Sequence, residues 1–97
     1  YGVEQSVLAS LENLFPGLDW QQHAHYLICR SLQHGERRAA EMREVARTVE
    51  EAGYQPWMSQ ATMERQAWAP QFAAALGEDS LEEMLDAIRC AFKSNEN

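Results

Sequence analysis

The residues of this sequence best suited to bind an anion are a histidine and two adjacent arginines, His34, Arg37 and Arg38. They stand close together in a chain whose formal net charge is −7. An arginine guanidinium holds a carboxylate or a phosphate through two parallel hydrogen bonds, and a histidine can donate another. Arg37 has Glu41 as a surface partner four residues further on, whereas Arg38 lies nearer an apolar stripe. We predict that His34, Arg37 and Arg38 contact a small anion, with Arg38 and His34 the stronger candidates. The alternative interpretation is a solvated charged face.

The other reactive side chains do not combine into a recognisable site. His23, His25 and Cys29 have poor spacing for zinc, because positions 23 and 25 diverge on a helix and no second cluster completes a tetrahedral set. Cys29 has no base or orienting group nearby in the sequence. There is no Gly-x-Gly-x-x-Gly motif after a strand, and the only lysine, Lys93, stands in the last predicted helix. We therefore predict neither a metal site nor a catalytic residue in this segment.

Composition and charge argue against several classes of function. Ninety-seven residues, of which 45% are apolar, suffice for one folded domain. An excess of 15 acidic over 8 basic residues disfavours binding to nucleic acid or to an anionic membrane. No apolar run is long enough to span a bilayer, and no signal peptide is evident. We expect a cytoplasmic protein in which the two cysteines, Cys29 and Cys90, stay reduced.

The elements that must position these side chains are helices, since apolar residues recur at helical spacing and no strand pattern appears. Gly53 is placed to cap the third helix, Pro70 predicts a kink or break inside the fourth, and Ser80 with Glu83 forms a capping-box pair for the fifth. Gly35 either caps the second helix or is tolerated within a bent continuation of it. We predict an all-α fold of about five helices, at about residues 3–15, 20–33, 36–52, 57–76 and 81–92.

A stripe of aromatic and methionine side chains runs through the fourth predicted helix. Such a stripe is more often hydrophobic core than a cofactor pocket, although Trp and Met are also favoured in subunit interfaces. Both interpretations stay open from the sequence. The residues of the stripe are Trp57, Met58, Met63, Trp68 and Phe72.

The order of these features resembles the all-helical C-terminal domain of the hydroxyacid-dehydrogenase superfamily, which includes 3-hydroxyisobutyrate and 6-phosphogluconate dehydrogenases. The resemblance covers about residues 1–76, with a weaker echo in the last helix. It is carried by the Tyr-Gly-Val-Glu opening, the Phe15-Pro16-Gly17 break, the pattern His34…Arg37-Arg38…Glu41-Met42 and the stretch from Gly53 to Trp68.

One position departs from the pattern of the superfamily. Counted back from Gly53, Ala40-Glu41 stands where a Lys-Asp pair is usual, so the acid is kept and the lysine on the cofactor side is lost. The resemblance therefore transfers His34, Arg37 and Arg38 only as candidates for the cleft-facing surface.

The resemblance implies that residues 1–93 form a C-terminal substrate and dimerisation domain, followed by a polar tail at 94–97. In the superfamily an N-terminal Rossmann domain binds NAD or NADP, and a long helix carries the catalytic lysine; neither is present in this sequence. The whole protein is then expected to transfer a hydride between NAD(P) and a small anionic hydroxy acid as a homodimer. This segment is expected to help close the cleft and to be inactive by itself. The opening Tyr1-Gly2, without an initiator methionine, suggests a fragment.

Two rival functions stay open from the sequence. A free-standing helical interaction module would use apolar helix faces as a partner groove, without catalysis. A relative that reduces imines or ketones would share this domain and differ in substrate.

Overall fold

A computed structural model describes residues 2–96 and the side chains of residues 2–94. The fold is all-α, as predicted, with five helical segments and no strand in the described part of the chain. The last helix continues over 94–96, which the sequence analysis assigned to the polar tail. The segments are α1 (Glu4–Leu14), α2 (Trp20–Glu51), α3 (Trp57–Trp68), a 3-10 segment (Ala69–Gly77) and α4 (Leu81–Glu96).

The second helix is the longest element and replaces two predicted helices. Its 32 residues run unbroken through His34 and Gly35, so the predicted boundary between 33 and 36 is wrong and the continuous alternative is right. Asp19 caps the N-terminus, as predicted, because its carboxylate accepts a hydrogen bond from the Gln22 N–H at 3.1 Å. The residues flanking the predicted boundary therefore belong to one rigid rod.

Gly35 lies inside this helix because another backbone approaches it closely. A Cβ at this position would meet the backbone oxygen of Gln66 and would lie 2.8 Å from Cδ of Pro70. Gly35 is buried, and α2 makes its most extensive packing against α3 and the 3-10 segment at this crossing. The glycine thus marks a tight helix crossing rather than the end of a helix.

The end of α2 follows the predicted glycine cap. Gly53 has φ 94° and donates its N–H to the Glu50 carbonyl at 3.0 Å. The N–H of Tyr54 reaches the Val49 carbonyl at 3.2 Å, which completes the hydrogen-bond pair of a Schellman motif. Gly53 supplies the left-handed conformation that turns the chain back toward α3.

The predicted break near Pro70 is confirmed, and so is the predicted cap by Ser80 at the start of the last helix. The α-helical geometry of α3 ends at Trp68, and Pro70 lies at the start of the 3-10 segment, where its missing N–H is tolerated. At the start of α4 the N–H of Glu83 donates to the Ser80 hydroxyl at 3.2 Å, which is one of the two hydrogen bonds of the predicted capping box.

The hydrophobic core lies where α2, the 3-10 segment and α4 meet. Met84 of α4 is fully buried, and Phe72 of the 3-10 segment is 2% exposed. The ring of Trp68 packs edge-on against Phe72 with their centroids 4.6 Å apart. The buried cluster consists of Leu32, Ala69, Phe72, Ala75 and Met84.

The face of α3 that packs on α2 differs from the one indicated by its large apolar residues. Trp57 and Met58 are 75% and 83% exposed, so the core interpretation is wrong for these two. The half-buried residues Ser59, Met63 and Gln66 follow one another at helical spacing instead. The close crossing at Gly35 favours this smaller and more polar face, and it leaves the Trp68 face to line a groove.

Candidate anion-binding site

The three predicted anion ligands lie on one flank of α2, together with a fourth basic residue. At 100° per residue, Arg30, His34, Arg37 and Arg38 fall within about 100° of the helix circumference. The same helix buries Leu32, Gly35 and Ala39 on its neighbouring face. Because one rod carries all four side chains, their relative positions are set by helix geometry. We call these four residues the basic flank.

Arg37 is the member of the basic flank with a partner of its own. Its Nε lies 3.8 Å from Oε1 of Glu41, one turn further along the helix, as the spacing predicted. Both side chains are more than 60% exposed, at 63% and 65%. An ion pair this open contributes at most about 0.5 kcal/mol, so it is easily exchanged for another contact.

Arg30 and Arg38 are placed differently, because both are half-buried. Among the residues that the structure describes, neither has a carboxylate within ion-pair distance. A guanidinium that lies along apolar surface without a counter-charge keeps its hydrogen-bonding fork available for a planar anion. Arg30 and Arg38 are therefore the two groups of the basic flank best placed to bind one.

His34 responds to this surrounding charge. Partial burial is the largest cause that lowers the pKa of His34 below its ordinary value of 6.5, and the positive charges of Arg30, Arg37 and Arg38 lower it further. The neutral imidazole is favoured as a result. A bound anion would oppose the electrostatic part of this shift, so protonation of His34 would be coupled to the binding of an anion at this flank.

Sequence reasoning missed Arg30. It stands four residues before His34, which is the spacing at which helical neighbours meet. The predicted helix boundary after residue 33 obscured this signal, because it placed Arg30 and the other members of the flank on separate helices.

An apolar groove lies apart from the basic flank, and none of the four basic residues lines it. It has a volume of about 1180 Å³. At its rim, Arg65 lies over the Trp68 ring at 4.4 Å from the centroid, and Arg89 reaches Glu4 at 3.9 Å. The apolar walls come from four helices and the residue that precedes the first of them: Val3 before α1, Val7 and Leu8 of α1, Ala24 and Ile28 of α2, Ala61 and Trp68 of α3, and Leu81, Leu85, Ile88 and Phe92 of α4.

His25 and Cys29 lie close together but do not form a reactive pair. Nε2 of His25 lies 2.9 Å from the Glu78 carbonyl, which can only accept, so this nitrogen carries a proton and donates. The Cys29 sulfur lies 3.9 Å from the same nitrogen, which is therefore not free to take the thiol proton. Cys29 and Cys90 are free thiols. No group of three or more His, Cys, Asp or Glu side chains in the described residues could hold a metal ion.

Comparison with known families identifies the family of this chain. The model of a family described as a domain of unknown function, DUF1932, matches residues 1–69. The chain belongs to this family. No curated protein and no solved structure matches it significantly.

The DUF1932 match includes the whole basic flank. It covers α1, α2 and α3, and it ends at the first residue of the 3-10 segment. The helix crossing at Gly35 and the Gly53 cap also lie inside it. Within the described residues of this DUF1932 domain, no helix has the length and apolar character needed to cross a membrane.

Proposed function

We propose that this chain is the C-terminal helical domain of an NAD(P)-dependent oxidoreductase related to the 6-phosphogluconate and 3-hydroxyisobutyrate dehydrogenases. The observation that carries the proposal is the DUF1932 match over residues 1–69, since this domain is known as the C-terminal domain of NAD(P)-binding hydroxyacid dehydrogenases. The all-α fold fits that role. The whole protein would be a cytoplasmic homodimer that transfers a hydride between the cofactor and a small anionic hydroxy acid.

The proposed contribution of this domain is to hold an anionic group at the cleft. Arg38 and His34 would bind the carboxylate or phosphate, with Arg30 beside them and Arg37 released from its exposed pair with Glu41. The nicotinamide supplies or accepts the hydride when the cofactor is bound. The half-buried guanidinium groups of Arg30 and Arg38 suit either a substrate carboxylate or a cofactor phosphate, while the cofactor itself would be held mainly by a preceding Rossmann domain.

The proposal is tested first on the natural reading frame. We expect it to extend upstream through a Rossmann glycine motif and a lysine-bearing helix, and the intact mass of the natural protein to exceed 11.1 kDa accordingly. A natural protein of only this mass would lack hydride-transfer machinery and would contradict the proposal.

The second test concerns the basic flank in the natural protein. Hydride transfer to NAD(P) is followed by absorbance over a panel of small hydroxy acids, with and without phosphate groups. For an accepted substrate, Arg38→Gln should raise KM roughly 10-fold or more, because a charge-assisted contact contributes about 1.5–3 kcal/mol. Arg43→Gln is the matched control, since Arg43 is an exposed arginine of the same helix outside the basic flank. Equal effects of the two substitutions would contradict an anion contact at Arg38.

A second candidate function is supported by the apolar groove. A groove of about 1180 Å³ lined by four helices has the size and chemistry to accept an amphipathic helix of another protein. This alternative, an interaction module without catalysis, gains support if the natural protein ends near the present chain and binds no NAD(P)H in fluorescence titration. It loses support if the natural protein supplies its own helix for the groove.

A further inference from the structure

The side-chain oxygen of Gln66 is buried without a hydrogen-bond donor. Gln66 lies on the face of α3 that packs on α2, and its Oε1 has no partner in the described part of the chain. Among the residues that the structure describes, no other buried side-chain oxygen or nitrogen lacks a partner. Such an acceptor gives up its hydration on folding and gains no hydrogen bond, so few native proteins keep one without a reason. A donor that is supplied in another state of the protein would be such a reason.

The direction of the Gln66 side chain follows from how α2 and α3 cross. Only residues 52–56 join the two helices, which pack against each other extensively, so they run antiparallel. The backbone oxygen of Gln66, which points toward the C-terminal end of α3, lies against Gly35. The Cα–Cβ bond of a helical residue tilts the other way, toward the N-terminus of its helix. The side chain of Gln66 therefore extends along α2 toward the residues that follow Gly35.

Arg38 is the side chain on that stretch of α2 that can donate to Gln66. Between positions 36 and 42, three residues of α2 are buried or half-buried, and these are Arg38, Ala39 and Met42. Ala39 and Met42 have no side-chain donor, whereas Arg38 has five N–H groups in a planar fork. Among the described residues, Arg38 has no carboxylate within ion-pair distance. A donor group without an acceptor and an acceptor without a donor thus lie at the same helix crossing.

We propose that Gln66 is a positioning residue that orients the Arg38 guanidinium for an anion. The inner edge of the guanidinium donates to Oε1 of Gln66, and two N–H groups on its outer edge are left for a carboxylate or a phosphate. The anion does not touch Gln66, whose oxygen would repel it. This inference rests on the proposed function, because it requires that Arg38 binds the anion.

The fixed position of Gln66 explains how it would favour binding. A long side chain such as that of Arg38 samples several rotamers and loses this freedom when it holds an anion. With Gln66 as a second acceptor, the same loss of freedom is offset by two hydrogen-bonded contacts instead of one. Gln66 itself is held in place, because its backbone packs directly against Gly35. Removal of the acceptor should therefore weaken anion binding although every contact of the anion itself is kept.

Replacement of Gln66 by methionine tests the proposal. Methionine has nearly the same length and shape, but its sulfur is only a weak acceptor. Inorganic phosphate is titrated into the natural protein at constant pH, and the ring-proton NMR signals of His34, a member of the basic flank, report its binding. Gln66→Met should weaken phosphate binding about tenfold, as expected for the loss of one hydrogen bond to a charged group. Gln66→Leu is a second variant with the same expected result, in case Gln66→Met does not fold.

Stability separates a positioning role from a packing role. Because Oε1 of Gln66 has no donor in the free protein, Gln66→Met should leave the midpoint of urea unfolding unchanged or raise it. A residue that only packed the crossing would lose stability and binding together, and this result would overturn the proposal. Gln60→Met is the matched control, since Gln60 is an exposed glutamine of the same helix, and it should change neither quantity.

A double-mutant cycle assigns the effect to Arg38. In the natural protein with Arg38→Gln, phosphate binding should already be weak, and the addition of Gln66→Met should weaken it no further. An equal effect of Gln66→Met with and without Arg38 would overturn the proposal. Phosphate binding that depends on Arg38 but not on Gln66 would also overturn it and would leave the proposed anion contact standing. If Arg38→Gln had no effect on phosphate binding, the anion contact and the positioning role would both be wrong.

Discussion

At the scale of single residues, the protonation of His34 reports on the basic flank. Its pKa is lowered by partial burial and by three arginines, so the folded chain binds its proton less tightly than the unfolded chain does. Below pH 6.5 the unfolded state therefore takes up more protons, and the contribution of His34 to stability falls with pH from there downward. Above that value the contribution is fully present.

This argument predicts how neighbouring charges act on His34. Arg30→Gln and Arg38→Gln should each raise the pKa of His34, and added phosphate should raise it in the unsubstituted chain. Arg43→Gln, outside the basic flank, should leave it unchanged. The titration of each histidine ring proton by NMR measures these shifts directly. If the pKa of His34 were the same in Arg38→Gln as in wild type, the Arg38 guanidinium would not act on the imidazole.

The comparison of wild type with His34→Gln provides the stability control. Between pH 7 and 5, the free energy of unfolding of wild type should fall more steeply than that of His34→Gln, because only wild type has this imidazole to protonate. If His34→Gln had the steeper slope, the sign of the pKa shift would be wrong.

At the scale of elements, the tight crossing of α2 with α3 depends on the absence of a side chain at Gly35. Gly35→Ala would gain up to about 1 kcal/mol in helix propensity. The added methyl group would press on the Gln66 carbonyl and the Pro70 ring, and overpacking of this kind costs about 1–3 kcal/mol. Because the neighbour is backbone and cannot rotate away, we expect a net loss of about 1–2 kcal/mol in thermal or urea unfolding.

Gly77→Ala is the matched control for this prediction. Gly77 has open space around its Cα and needs no positive φ, so alanine there should be neutral or stabilising by up to about 1 kcal/mol. A Gly35→Ala variant as stable as Gly77→Ala would mean that the crossing relaxes without cost.

Much of the fold could be predicted from the sequence, because its helix ends are set locally. Asp19, Gly53 and Ser80 act through hydrogen bonds to residues within a turn or so, and such signals are visible in sequence. Glycine is common at the ends of helices, so Gly35 has the sequence signal of a helix end. It is needed here because the backbone of Gln66 approaches it closely, and Gln66 lies 31 positions away in sequence and is brought near only by the tertiary fold. The break predicted beside it was wrong for this reason.

The candidate site was only partly predictable for a related reason. His34, Arg37 and Arg38 were identified by type and spacing, and the Arg37–Glu41 pair by a local rule. Arg30 became part of the flank only once α2 was known to be continuous. The exposure of Trp57 and Met58 was likewise hidden, because it depends on which face of α3 fits against Gly35.

At the scale of the whole molecule, the described residues leave an apolar groove open to solvent. Val7 of α1 and Phe92 of α4 line its walls, and these side chains are 50% and 38% exposed. Burial of such side chains by a further helix stabilises a protein by about 25 cal/mol for each Å² of apolar surface covered. The proposed function therefore implies that the natural protein covers this groove.

Substitution of Val7 by asparagine separates a covered groove from an open one. In the 97-residue chain, Val7→Asn should change the free energy of unfolding by no more than about 0.5 kcal/mol, because the position is already half-exposed and the two residues have similar helix propensity. In a longer natural protein that covers the groove, it would bury an unpaired amide and should cost about 1–3 kcal/mol. Leu14→Asn is the control, since Leu14 is 70% exposed and lies outside the groove, and its small effect should be the same in both proteins. Equal effects of Val7→Asn in the two proteins would show that nothing covers this wall, and the interaction-module function would then explain the groove better than the dehydrogenase does.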